Sequence, residues 1–289
     1  MAIHRSNGKL IAVDLFSGCG GMTLGLKQAG FKVIGAVETD PLAVETYKTN
    51  HPEVKLWQKD IRKISGSEML CALGIKKGRL DLLAGCPPCQ GFSSIRTKNG
   101  KRRIRDPRND LIFDFVRFVN ALLPKSVMME NVPALAGNAR MKIFKREMRA
   151  LGYDLNGTPL ILNTANYGVP QRRRRMILLG SRIGQIELPN VDKIKITVRE
   201  TIGSLPHPGV SGDPLHDLKE KRKPRIVEMI RRIPRNGGSR ADLPKKFHLP
   251  CHKKLADGFR DVYGRMSWNE VAPTITGGCV MTCGHGAAR

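Results

Sequence analysis

Acidic residues are scarce in this 289-residue chain: 25 Asp and Glu stand against 50 Lys and Arg, a formal net charge of +25. A surface so poor in carboxylates suits a polyanionic partner, most often nucleic acid, with acidic lipid as the other class. Long hydrophobic runs are missing too. No stretch of about 18 apolar residues occurs, so no helix is expected to span a membrane. The N-terminal MAIHRSNGKLIAVDLF has only a short apolar run and reads as a poor signal peptide. A disulfide framework is not expected, because the seven cysteines are odd in number and scattered. They suggest reduced thiols in a cytosol-like compartment. Internal repeats and low-complexity tracts are absent. What remains has the length and apolar content of one large α/β domain, or of a core domain with a small one beside it.

The first half alternates strand and helix patterns. Leu10–Phe16 reads as a strand, Met22–Ala29 as a helix stopped at Gly30, and Phe31–Glu38 as a second strand. A helix is expected over Pro41–Thr49 and a buried strand over Leu80–Ala84. Asp110–Leu122 sets Leu111, Ile112, Phe115, Val116, Phe118, Val119 and Leu122 on one broad helix face, ended by Pro124. Ser126–Glu130 and Met176–Gly180 read as strands, and Met141–Leu151 as a helix. This alternation predicts βαβ units and a mostly parallel sheet. From Leu188 to about His252 prolines, glycines and basic residues dominate, which predicts a small irregular lobe. The chain divides accordingly into 1–187, 188–262 and a final segment 263–289.

Two stretches carry chemistry. In Asp14-Leu15-Phe16-Ser17-Gly18-Cys19-Gly20-Gly21 a strand runs into a glycine-rich turn that opens a helix. Such turns at the carboxyl edge of a sheet let backbone approach a cofactor. Glu38 ends the next strand, where a carboxylate suits ribose hydroxyls. The spacing is not the dinucleotide G-x-G-x-x-G, so a nucleotide-containing cofactor and a plain βα turn both stay open. Gly85-Cys86-Pro87-Pro88-Cys89-Gln90-Gly91-Phe92-Ser93 contains Cys-x-x-Cys, which fits a redox pair, half a zinc site, or a single nucleophilic cysteine.

DLFSGCGG, GCPPCQGFS, Glu130-Asn131-Val132 and Gln171-Arg172-Arg173-Arg174-Arg175 occur in that order, and resemble motifs I, IV, VI and VIII of the C5-cytosine DNA methyltransferases. Tyr263–Gly278 resembles motif IX. The resemblance implies an α/β, Rossmann-like S-adenosylmethionine-dependent methyltransferase fold: a doubly wound, mostly parallel sheet with a target-recognition lobe at 188–262. It implies a DNA (cytosine-5-)-methyltransferase of bacterial or phage type, tied to restriction–modification, acting in the cytoplasm at the nucleoid. Cys89 matches the nucleophile that adds to C6 of cytosine and makes C5 able to attack a methyl group. Glu130 matches the carboxyl near N3 and the exocyclic amine. Arg173 and Arg175 match the cations near O2.

The methyl donor implied is S-adenosyl-L-methionine. Phe16 would pack on its adenine. Ser17, Gly18, Cys19, Gly20 and Gly21 would lie near the methionine part, and Glu38 at the ribose. Asp60 and Ile61 would meet the adenine edge, with Pro88 and Leu111 adding contacts. The partner implied is double-stranded DNA, with the target base flipped out of the stack. Gln90, Ser93, Arg96, Gln171 and Arg235 are candidate DNA contacts. The basic stretch 91–109 is expected to be a mobile loop on phosphates, and Arg235–Arg240 a flexible loop able to enter a groove. A motif X does not follow motif IX here, which leaves three readings open: a truncated or frame-shifted gene, a split enzyme with a second chain as partner supplying motif X, or a fragment of a longer chain. Binding of DNA without methylation, and an RNA substrate, are the competing readings. Cys279-x-x-x-Cys283-x-His285 with Cys251-His252 is a poor match to a zinc signature, and no metal site is assigned.

Overall fold

A computed structural model describes residues 8–88, 106–155, 159–188, 190–191, 194–218, 222–249 and 263–275. Seven strands form one sheet in the order β3-β2-β1-β4-β5-β7-β6. They are β1 (Ile11–Leu15), β2 (Lys32–Glu38), β3 (Lys55–Gln58), β4 (Leu82–Gly85), β5 (Ser126–Asn131), β6 (Leu160–Asn163) and β7 (Arg174–Ser181). β1 pairs in parallel with β2 and β4, β2 with β3, and β4 with β5. β7 runs antiparallel to β5. The helices α1 (Gly21–Gln28), α2 (Pro41–Asn50), α3 (Gly66–Leu73), α4 (Leu111–Leu122) and α5 (Ala139–Ala150) follow successive strands.

Side chains alternate across a strand, and in β1 both faces are buried. Val13 and Leu15 point into the larger core with Phe115 and Phe118 of α4 and Phe144 of α5. Ala12 points the other way, into a smaller core with Leu26 of α1 and Tyr47 of α2. Asp14 shares the face of Ala12, which explains why it meets α1. Helices thus cover both faces, as in a doubly wound sheet. Local signals set the helix starts. Asp40 caps α2 through the Ala43 amide at 2.9 Å with Pro41 in the first turn, and Ser65 caps α3 through Glu68 at 3.0 Å.

By compactness the chain forms two units: residues 1–162 with 175–189, and 163–174 with 190–289. This division differs from the one read off the sequence, which kept 163–174 with the first region and returned 263–289 to it. Backbone pairing accounts for the grouping. Arg172 N–H donates to Ala272 at 2.8 Å, and Ala272 N–H to Pro170 at 3.1 Å. The second unit has its own small core of Met229, Ile233, Leu243 and Tyr263. Its helices, α6 (Val198–Ile202) and α7 (Pro224–Arg232), are short. Among the described residues no helix is long and apolar enough to cross a membrane.

Candidate active site

The sheet order reverses at β1, whose two neighbours lead outward in opposite directions. That is where open α/β sheets bind ligands, beyond the carboxyl ends of the strands. Three loops converge there. Ser17 N–H donates to Val37 at 3.0 Å, and Cys86 N–H to Leu15 at 3.2 Å, tying the ends of β1, β2 and β4 together. Phe16 turns the chain sharply with φ 61°, a left-handed conformation that is strained for a side chain of this size. Gly20 follows at φ 91° and starts α1.

Glu38 holds this loop. One carboxylate oxygen accepts from Gly18 N–H at 2.8 Å. The other accepts from Thr39 and Asp40 N–H at 2.6 and 2.8 Å. A carboxylate has about four acceptor positions, so three backbone bonds leave room for a hydroxyl. Asp60 caps the 3-10 turn Ile61–Lys63, and its ion pair with Arg62 holds the carboxyl down at about 2. Ile61 is buried in the main core at 3% exposure, and Leu111 packs half-buried against that core. Ser17 is buried and Cys19 exposed.

Glu130 stands near the end of β5 beside this edge. Antiparallel pairing sets it opposite Ile177, so Arg175, two residues earlier on β7, lies diagonally across on the same face. Arg175 Nε donates to Glu130 Oε1 at 2.6 Å. Asn131 Nδ2 donates to the Pro87 carbonyl at 2.9 Å in a buried contact, pinning the turn that leads to Cys89. Burial, and then the charges of Glu130 and Asp14, push the Cys86 thiol up, which leaves it a poor thiolate. Asp14 is fully buried. Desolvation raises its carboxyl to about 7 against the lowering hydrogen bond from Thr23.

Glu130, Arg175, Glu38, the Gly18–Gly21 loop and Pro88 therefore share one region of the first unit. Arg173 belongs to the second unit, where its N–H donates to Asn163 Oδ1 at 3.1 Å. Gln171 lies there too, its carbonyl accepting from Thr164 Oγ1 at 2.6 Å. Cys89, Gln90, Ser93 and Arg96 lie outside the described residues, as do most of the expected mobile loop and the residues of the weak zinc pattern. Arg108, read as part of that loop, is engaged by Asp106, which accepts from its Nε at 3.0 Å. Arg235 is exposed, but its loop is anchored rather than free. Asn236 Oδ1 accepts from Trp268 N–H at 2.9 Å, and Gly238 accepts from Arg265 N–H at 2.8 Å. Sequence reasoning missed Asn131 as an anchor, Cys86 as a neighbour of Glu130, and the Asp14–Thr23 contact.

Residues 10–284 match the family model for C-5 cytosine-specific DNA methylase. The chain belongs to this family. As a C-5 cytosine-specific DNA methylase it is similar to the Type II methyltransferase M.XorII of Xanthomonas oryzae, at 40% identity over 201 residues. That match covers 68% of this chain and 46% of the relative, so the chain spans less than half of M.XorII. It is 31% identical over 278 residues to the Type II methylase M.HgiDII of Herpetosiphon aurantiacus, covering 92% and 75% of the two. Two solved structures share the fold. One is a prophage-encoded protein of E. coli described as a DNA modification methyltransferase, with TM-score 0.62, 24% identity and 92% and 82% coverage. The other is the methyltransferase EhMeth of Entamoeba histolytica, with TM-score 0.56, 18% identity and 81% and 69% coverage. In this C-5 cytosine-specific DNA methylase, the motif residues Glu130 and Arg175 form the contact just described.

Proposed function

We propose that the chain is a DNA (cytosine-5-)-methyltransferase that modifies a flipped-out cytosine in double-stranded DNA, as the modification arm of a restriction–modification system. The observation that carries the reading is the Glu130–Arg175 contact at 2.6 Å, beside the turn that leads to Cys89. A carboxyl and a guanidinium held together can meet the N3 and exocyclic amine side of a cytosine and its O2 at once. The family match and the Type II relatives support the same reaction. The +25 charge supports a polyanionic partner.

S-adenosylmethionine, when bound, supplies an electrophilic methyl group on a sulfonium. The residues present fit it. The Gly18–Gly21 backbone lies at the switch point, and Glu38 has acceptor capacity left for a ribose hydroxyl. Pro88 and the half-buried Phe16 and Leu111 offer apolar contact, with Asp60 and Ile61 at the end of β3.

The roles of this chain's residues follow. Cys89 Sγ, as thiolate, forms a bond to C6 of the cytosine. Glu130 holds N3 and the amine, and Arg175 stabilises charge at O2, with Arg173 as the second cation of that motif. The Cys89 adduct would make C5 nucleophilic, able to accept the methyl group of a bound donor with the sulfonium sulfur as leaving group. The C5 proton then leaves to a base, and its bonding pair expels Cys89 from C6. Gln90, Ser93, Arg96, Gln171 and Arg235 are the proposed DNA contacts, with the second unit reading the target. A bacterial enzyme with this activity would work in the cytoplasm, at the nucleoid.

The test is incorporation of labelled methyl from S-adenosylmethionine into duplex DNA, by the chain alone and with a second chain carrying motif X. Appearance of 5-methylcytosine, abolished by Cys89→Ser, is the expected result. DNA binding with no incorporation in either arm would leave a DNA-binding protein and sink the reading. Methylation of transfer RNA in preference to duplex DNA would redirect it to RNA.

A further inference from the structure

The loop that opens α1 is held from behind by groups that the reaction does not use. His51 closes α2, and its side chain is buried. Its Nε2 lies 3.1 Å from the Gly20 carbonyl oxygen, and its Nδ1 lies 2.7 Å from Lys27 Nζ. These neighbours assign the tautomer. A carbonyl can only accept and an ammonium can only donate, so the His51 proton sits on Nε2 and points at Gly20. Lys27 is ion-paired in turn with Glu53. Tyr47 sets its ring edge-on to His51 at 4.9 Å between centroids. Its hydroxyl is 2.8 Å from Thr23 Oγ1, which donates to Asp14 at 2.8 Å. Gly20 is pressed against this wall, for a Cβ there would run into the His51 ring.

None of these side chains belongs to the motifs assigned to the cofactor, except Asp14 on the strand. What they fix is the position of a carbonyl in the middle of the glycine-rich turn. That carbonyl also accepts the Leu24 amide at 2.9 Å, the first bond of α1. One imidazole, with a cation on its far side, is therefore tied to the carbonyl at which the turn ends and the helix starts, while Glu38 holds the other side of the turn through Gly18 N–H.

We propose that His51 is a positioning residue for the glycine-rich loop. Through Nε2–H it sets where the Gly18–Gly21 backbone stands to receive the methionine part of the cofactor. The ligand half of this proposal rests on the S-adenosylmethionine reading above; the loop half does not. Lys27 and Glu53 orient the ring without touching the loop carbonyl.

The test compares His51→Ala, His51→Asn and His51→Gln. Glutamine can place an amide N–H near the position of Nε2–H, and asparagine is too short to do so. In the cofactor-free chain, the Gly20 and Leu24 amides are expected to exchange faster in the Ala and Asn variants and as in the parent chain for Gln. Affinity for S-adenosylmethionine, by calorimetry, is expected to fall about tenfold in the Ala and Asn variants and to recover in Gln, a change of ~1.4 kcal/mol. Under turnover the loss is expected in KM, with kcat kept. Unchanged exchange in Asn, or a Gln variant no better than Asn, overturns the proposal. Should the Ala variant not fold, the Asn and Gln pair still decides. Should the parent chain bind no S-adenosylmethionine, either alone or with a second chain carrying motif X, the functional reading fails, while the exchange comparison still decides the role of His51.

Discussion

Arg175 reaches Glu130 through Nε of its planar guanidinium, at 2.6 Å. A lysine at that position carries the charge but not the fixed fork. Arg175→Lys is therefore expected to lower kcat for DNA methylation by about 10²-fold, with thermal stability nearly unchanged. A kcat within error of the parent chain would remove Arg175 from the site. Asp14 makes a different prediction. Its carboxyl is raised to about 7 from 3.8, chiefly by burial, and its Oδ1 has no hydrogen-bond partner among the described residues. Below about pH 4 the group is neutral in both states. Between about 4 and 7 the unfolded chain releases the proton while the folded chain keeps it, so stability falls as pH rises, and the penalty is complete above 7. Asp14→Asn removes the titration. Its melting temperature relative to the parent chain should be higher at pH 8 than at pH 5, by the equivalent of roughly 2–3 kcal/mol; a pH-independent difference would refute this. Glu130, Arg175 and Glu38 were legible because each lies in a sequence motif. The bond from Asn131 to Pro87 and the bond from His51 to Gly20 were not. Each joins positions far apart in the chain, 44 and 31 residues, and only the sheet order brings them together.

At the scale of elements, α4 shows what sequence can reveal. Phe115, Phe118, Val119 and Leu122 recur on one face, and all are fully buried. β1, β2 and β4 were readable as apolar runs because both faces of a doubly covered sheet are buried. β3 was not, since Lys55-Leu56-Trp57-Gln58 buries only Trp57 at the sheet's edge. α3 was missed because eight residues beginning with glycine give too little periodicity. That glycine has a packing role. Gly66 lies against α4 so closely that a Cβ would overlap Ala121 Cβ. Gly66→Ala should therefore destabilise the fold by about 1–3 kcal/mol through overpacking, although alanine is the better helix former. Urea melts check this, with stabilisation as the contrary outcome. A smaller residue in place of Ala121 (Ala121→Gly) should restore part of the loss if the two Cβ positions compete.

For the whole molecule the excess of cations over acids is the property that no single site explains. It was legible at once, and it names a class of partner without naming a sequence, since phosphate contacts give affinity while base contacts give specificity. The named cations behave unequally. Arg108 and Arg62 are taken up by Asp106 and Asp60, and Arg232 by Glu228. Arg235 is exposed in an anchored loop, available without the entropy of ordering that loop. Duplex DNA binding by this chain should therefore weaken steeply with salt. Each neutralised phosphate contributes about −0.9 to the slope of log K against log salt, so six contacts would cost about 10³-fold between roughly 50 and 200 mM. Arg235→Ala should lower affinity at low salt and make that slope shallower by about one, while affinity for S-adenosylmethionine stays the same. Fluorescence anisotropy of a labelled duplex across a salt series measures both quantities. A slope unchanged by Arg235→Ala would remove that residue from the phosphate contacts. DNA affinity indifferent to salt would separate the +25 charge from DNA binding altogether, because counterion release is the physical link between the two.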